Sequence, residues 1–308
     1  MVHQKRVTPA ELEAAGKPKE MVARLKAGTM EMKERLAQLI AALCTQDHSQ
    51  IDAVVKANAV PPLVALVSTG SENGQLHGAC AMAAIAADRP EVQLQIVEAG
   101  GIVPIVNLLR MGSAGTQEQA IHALASVSED RQHQEAVLKT GALKYVTNLL
   151  KGGKGNTTVY AAAAAANLVA ENNSAQQNFV ELGGLPLLLT LLQSGKDKAQ
   201  VHAARAVAKV AEGNSEVQKA IHEKDGIPLL LVLLNGRNIE ATVQAASAIA
   251  EVARENEDTQ NAIAKAGGIG PLLAMLPTGK PQPQSQAASA LAQLARHNRE
   301  NQDTMARM

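Results

Sequence analysis

The chain has 308 residues, 46% hydrophobic and 19% charged, enough for two ordinary domains or one array of repeats. One Phe, two Tyr and no Trp leave Ala, Leu, Ile and Val to build the core, which suits closely packed helices and argues against a β-sandwich. Formal charge is zero, from 29 basic and 29 acidic residues, so no global field draws in nucleic acid or an anionic membrane.

Residues 1–7 (MVHQKRV) read as an N-terminal tail: they carry charge with no apolar stretch behind it, so no secretory signal is visible. With Val2 in place of Gly, no N-myristoylation is expected of the chain as it stands. Residues 8–45 form a degenerate repeat, with Thr8-Pro9 as cap and first turn, Gly16 as a turn, and Met21, Val22 and Leu25 at apolar positions. Lys17, Lys19, Glu20 and Arg24 make its other side polar, as the outermost unit of a solenoid requires.

From residue 46 to 297 one pattern recurs six times, near 46–88, 89–129, 130–171, 172–213, 214–255 and 256–297. A period of 41 to 43 residues signals a solenoid. The apolar pairs Leu66-Val67, Leu108-Leu109, Leu149-Leu150, Leu191-Leu192, Leu233-Leu234 and Met275-Leu276 stay in register. Gly70, Gly112, Gly153, Gly195, Gly236 and Gly279 follow them, with Gly28 extending the series backwards, and predict helix ends with a left-handed backbone. Upstream of each leucine helix stands a turn: Gly100-Gly101, Gly141-Ala142, Gly183-Gly184, Asp225-Gly226 and Gly267-Gly268. Pro104, Pro186, Pro228 and Pro271 then fit the first turn of a helix, where a missing N–H leaves no bond unmade. A short helix before each turn repeats an amide at Gln93, Gln134, Gln177, Gln218 and Gln260. Residues 298–308 begin a further repeat and stop before its expected glycine.

The period of about 42, the AGG-I-x-P-L-L-x-L-L turn and helix, and the Q-x-A-A-x-A-L-x-x-L-A pattern at residues 286–295 resemble the armadillo repeat family. The resemblance covers nearly the whole chain and implies an all-α fold, a right-handed superhelical solenoid of about seven three-helix repeats. Its third helices would line a concave groove, where family members hold extended or disordered segments of other proteins. HEAT repeats, with two helices per unit, lack this glycine turn.

Aligned third helices place three ladders across the units: Arg35, His77, Gln119, Tyr160, His202, Gln244 and Gln286; then Gln38, Cys80, His122, Ala163, Arg205, Ser247 and Ser289; then Ala42, Ala84, Ser126, Asn167, Lys209, Glu251 and Gln293. These positions are mostly polar within Ala-rich helices, so one stripe faces solvent. Such a stripe either keeps the array soluble or holds a partner; the chemical variety of Tyr160, Asn167, His202, Arg205, Lys209 and Glu251 favours a partner. In members that import nuclear cargo, the second ladder is tryptophan and the third asparagine. Here only Asn167 matches, which argues against a nuclear import receptor. Asp88, Asp130, Glu171 and Glu255 lie four residues beyond the third ladder. An acid at a helix C-terminus opposes the macrodipole, so these four either cap the next helix or form an acidic rim for a basic segment. Arg205, Lys209 and His202 make the middle of the groove locally positive, suited to an acidic or phosphorylated residue.

No catalytic constellation emerges. Residues 152–158 (GGKGNTT) lack phosphate-loop spacing and a preceding strand. His77, Cys80 and His122 have no paired metal-ligand motif, and Cys80 has no orienting group or oxyanion donor. One groove tyrosine cannot stack an RNA base per repeat. Two cysteines, Cys44 and Cys80, make no disulfide framework and point to an intracellular, cytoplasmic setting. The longest apolar runs, 159–166 and 227–234, fall well short of the ~20 residues that span a bilayer.

The expected function is a non-enzymatic scaffold, without cofactor or metal, that binds an extended protein segment and not nucleic acid, with no membrane span. The oligomeric state is open, with a monomer as the simplest expectation. Alternatives are a substrate-recruiting part of a larger protein such as a ubiquitin ligase, and a structural scaffold that self-assembles.

Overall fold

A computed structural model of the chain describes residues 7–308, apart from the side chain of Thr278. The expected tail, residues 1–7, lies outside the described residues except for Val7. Among the described residues there are 22 α-helices, two short 3-10 turns and no strand. Contacts divide the chain into two units, one ending at Tyr145 and one beginning at Val146, a boundary inside a helix.

In the first unit the helices come in triplets: α1 (Pro9–Ala15), α2 (Pro18–Ala27) and α3 (Met30–Gln46); α4 (Ile51–Lys56), α5 (Val60–Thr69) and α6 (Glu72–Ala86); α7 (Pro90–Glu98), α8 (Ile102–Met111) and α9 (Ala114–Val127). α10 (Arg131–Lys139) follows, then α11 (Ala142–Gly152), which carries the boundary. The second unit continues with α12 (Asn156–Val169); α13 (Asn173–Glu181), α14 (Gly184–Ser194) and α15 (Asp197–Ala211); α16 (Ser215–Glu223), α17 (Gly226–Leu234) and α18 (Ile239–Ala253); α19 (Glu257–Lys265), α20 (Ile269–Met275) and α21 (Pro281–Ala295); and α22 (Arg299–Arg307).

Within each unit the third helices carry the stack. α3 packs on α6 and α6 on α9; α12 packs on α15, α15 on α18 and α18 on α21. Alanine makes this possible, because small side chains let neighbouring axes approach to ~8–10 Å. Ala203, Ala206, Ala245 and Ala248 are all fully buried. Second helices close the other side of their own third helices, as α14 does on α15 and α17 on α18. No single described helix is long and apolar enough to cross a membrane.

The double-glycine turn joins first helix to second, and its two positions have different reasons. Gly100, Gly183 and Gly267 have φ of 76°, 78° and 82°, a left-handed backbone that a Cβ disfavours. The second glycine lies against the residue five before it. A Cβ at Gly184 would stand 2.3 Å from the Phe179 ring, and at Gly226 or Gly268 2.7 Å from Ile221 or Ile263. Where alanine takes this place, at Ala59 and Ala142, the residue five before is the smaller Val54 or Val137.

Glycines ending the second helices depart from the sequence expectation. Gly28, Gly70, Gly112 and Gly195 have φ between −67° and −75°, an extended conformation open to any residue. Glycine is needed there for space. A Cβ would fall 2.4 Å from the Leu66 carbonyl oxygen at Gly70 and from that of Leu191 at Gly195. Only Gly279, with φ 70°, has the expected left-handed form among these helix-end glycines.

Successive repeats are pinned by buried carboxamides. Gln218 Nε2 donates to Ala211 O (3.4 Å), at the end of the preceding third helix, and to Glu251 O (3.0 Å), at the end of its own. Gln260 repeats this with Ala253 O and Gln293 O, at 3.1 and 3.0 Å. Each glutamine's Oε1 accepts from the asparagine opening the next first helix: Asn214 on Gln176, Asn256 on Gln218 and Asn298 on Gln260, at 3.3, 3.3 and 3.2 Å. In α13 this residue is Gln176, fully buried, and not Gln177 as read from sequence. Gln177 is exposed and donates to Glu181 Oε1 at 3.1 Å. These bonds satisfy helix C-terminal carbonyls that have no intrahelical donor.

Candidate functional site on the third helices

Packing α12, α15, α18 and α21 side by side aligns the ladder positions of the second unit along one face. Tyr160, His202, Arg205, Lys209, Gln244, Glu251 and Gln293 are half-buried there, while the flanking Ala161, Ala203 and Ala245 are fully buried. In the first unit His122 is half-buried on α9, and Ser126 is buried at 3% exposure.

Several of these side chains already have partners. Arg205 Nη2 donates to the Asn167 carboxamide oxygen at 2.7 Å, and Asn167 is only 4% exposed. The oxygen of Asn167, a residue expected to face a partner, therefore already accepts a bond from a neighbouring repeat. Lys209 Nζ lies 3.0 Å from Glu212 Oε2, and Arg254 grips Glu251 with two bonds of 2.8 and 2.7 Å. The Glu251 bonds raise the Arg254 pKa further above its ordinary value. Sequence reading passed over Glu212, Arg254 and Arg296. Each stands three residues beyond a third-ladder position, the helical spacing that lets neighbouring side chains meet.

Burial depresses the ladder histidines. It pushes His122 down to about 4 and lowers His77 and His202, the latter helped by the charges of Arg205 and Lys198 and opposed by Glu240. All three are neutral near pH 7 on these shifts, since a buried imidazolium loses its hydration. His202 Nδ1 and Gln293 Oε1 are buried with no hydrogen-bond partner among the described residues.

The row of four acids divides in two. Asp88, Glu171 and Glu255 are exposed with left-handed backbones, φ 55°, 51° and 52°, at the turn leaving a third helix. Gly213 and His297 occupy the matching turns with φ 66° and 57°. Asp130 has φ −79° and caps α10, its carboxylate accepting from Gln132 N–H at 2.8 Å. It is a capping residue satisfying an orphan donor and stands outside the row. Glu255 is paired with Arg296 at 3.3 Å.

Among the described residues, no group of three or more His, Cys, Asp or Glu side chains is placed to hold a metal ion. Cys44 and Cys80 are both free thiols, and burial pushes Cys44 up to about 12 and also raises Cys80, away from the reactive thiolate. Residues 153–155 of the glycine-lysine segment form a link between α11 and α12.

Armadillo/beta-catenin-like repeats match residues 47–82. No curated protein matches the chain. Among solved structures, the crystal structure of an engineered protein from a structural genomics consortium is 30% identical, with a TM-score of 0.83 over 97% of this chain and 74% of its own. A designed armadillo repeat protein is 26% identical, with a TM-score of 0.70 over 76% of this chain and 99% of its own. Another, in complex with the peptide (KR)4, is 25% identical, with a TM-score of 0.67 over 76% and 99%. From its helix triplets, its glycine turn and these likenesses, the chain belongs to the armadillo repeat family.

Proposed function

We propose that this protein is a non-enzymatic scaffold that binds an extended segment of another protein along its third-helix face. The observation that carries the reading is the half-buried polar stripe of Tyr160, His202, Arg205, Lys209, Gln244 and Glu251, set into helices otherwise closed by alanine. An extended segment exposes its own N–H and C=O groups, and amide, hydroxyl and charged side chains at repeat spacing can meet them. Designed relatives support the reading: one is in complex with (KR)4 and another was designed for modular peptide recognition. The proposed setting is the cytoplasm, where Cys44 and Cys80 would stay reduced.

A steric block tests this. Ser247→Trp puts an indole on the stripe of α18, and Val232→Trp puts one on the exposed side of α17, where Val232 is 70% exposed. Peptides selected on the wild-type protein from a random display library should lose binding to the Ser247 variant and keep it with the Val232 variant. The reverse pattern would reject the third-helix face.

A further inference from the structure

Charge along the second unit's third-helix face is almost entirely self-compensated. Lys209 has Glu212, Arg254 has Glu251, and Arg296 has Glu255. Arg205 breaks the pattern. It is half-buried, its one partner among the described residues is the neutral Asn167 oxygen, and only Nη2 is used in that bond. A guanidinium has five N–H donors in a planar fork, so Nη1 and Nε remain for a second acceptor. Asn167 fixes one edge of the fork, which removes much of the side-chain freedom that an incoming ligand would otherwise have to quench.

The surroundings sharpen this. His202 and Lys209, one turn to either side of Arg205 on α15, carry no negative charge, and Asp197 at the helix start is the only acid of that helix. Tyr160 on α12 and Gln244 and Ser247 on α18 flank it as neutral polar groups, and the exposed Glu240 at the start of α18 is the acid whose charge reaches His202. The result is a held cation, short of counter-charge, in a polar frame. Its effect is already felt by His202, whose imidazole it disfavours as a cation.

We propose that Arg205 is the specificity-determining residue of this face and receives an aspartate or glutamate carboxylate from the bound segment. This rests on the binding reading above and adds to it the sign and place of the selected charge. A carboxylate matches two parallel N–H donors, whereas a basic side chain there would face an uncompensated guanidinium. Lys209 and Glu251 belong to the same stripe but select charge less strongly, because a ligand must first compete with their internal pairs.

The test uses the full chain and three fluorescein-labelled peptides of about twelve residues, alternating Glu-Ala, Gln-Ala and Lys-Ala, so that every second side chain points one way. Anisotropy titrations should show the Glu peptide binding at least about tenfold tighter than the other two, with the gap narrowing at high salt. Arg205→Gln, which removes the charge and keeps a polar amide, should bring the Glu peptide to the level of the Gln peptide. Arg205→Lys should retain part of the preference, having the charge but not the fork. Lys219→Gln, at an exposed cation of α16 already paired with Glu223, should change affinity less than about threefold. Proton NMR gives a readout that a merely structural role would not move: saturation with the Glu peptide should raise the His202 pKa by offsetting the Arg205 charge, with no rise for the Gln peptide.

Equal affinity for Glu and Gln peptides, an intact preference in Arg205→Gln, an unmoved His202, or no binding of the Glu peptide would each overturn the assignment. A phosphoserine peptide binding more than about tenfold tighter than its Glu counterpart would overturn the carboxylate choice. Glu-peptide binding that survives Ser247→Trp would instead remove the underlying face, so the two failures are distinct.

Discussion

The joints between repeats are built from different chemistry in the two units. In the second, Asn214, Asn256 and Asn298 each open a first helix by accepting an N–H three residues on, and each donates to a glutamine of the preceding repeat. In the first, Arg89 stands at the opening of α7, makes no side-chain cap, and reaches Asp52 of α4 at 2.5 Å. Gln93 still donates to Ala86 O, but its other partner is the carboxylate of Glu129, and its Oε1 is buried with no partner among the described residues. A buried amide network must be complete, since each unsatisfied group costs about 1–3 kcal/mol. An exposed ion pair tolerates loss, being worth at most about 1 kcal/mol and less in salt. The same geometric problem is therefore solved rigidly in one unit and loosely in the other.

Turns offer the strongest way to break this comparison. Gly184→Ala should cost about 3 kcal/mol of stability, because its Cβ meets the Phe179 ring, itself fully buried and unable to retreat. The alanine already at Ala142 is accommodated by Val137. A shift of the urea midpoint of helical circular dichroism smaller than that of an exposed-site control would refute the close-approach explanation. Next in size is Gln218→Ala, which strands Ala211 O, Glu251 O and Asn256 Nδ2 together and should cost about 2 kcal/mol. Gln177→Ala, on the exposed side of α13, should stay within about 0.5 kcal/mol. Equal midpoints for the two glutamine variants would show that the carboxamide joint carries no stability. The smallest effect belongs to Arg89→Ala, at most about 1 kcal/mol at low ionic strength and vanishing in high salt. A salt-independent loss would mean that the Arg89 stem, not its charge, holds the joint.

Much of this was legible from the chain. The period, the Gly-Gly turns and the alanine-rich third helices are written in residue types whose spacing has one physical solution. The ladder positions followed, because helical periodicity decides which residues share a face. What local spacing left undecided was the partner that each polar side chain meets. Asn167 looked available until Arg205, 38 residues on, was found bonded to it. For Asp130 the bond from the Gln132 N–H selects the cap from the two roles that the row of acids left open. Gln176 and Gln177 are adjacent amides, and only the facing carbonyls of Lys209 and Glu212, at 3.0 and 3.1 Å, select the first.

Local residue spacing specifies the repeat, its three helices, the turn between the first two and the polar stripe on the third, because these depend on which backbones glycine, proline and alanine permit. Tertiary structure alone decided which polar side chains are already spoken for. Hydrogen bonds between repeats join residues 38 positions apart, and their partners depend on how neighbouring helices are rotated against each other, which no local pattern encodes. That is why Arg205 emerged as the cation of this face with only a neutral partner from the packing of α12 against α15, and not from the row of residues in which it is written.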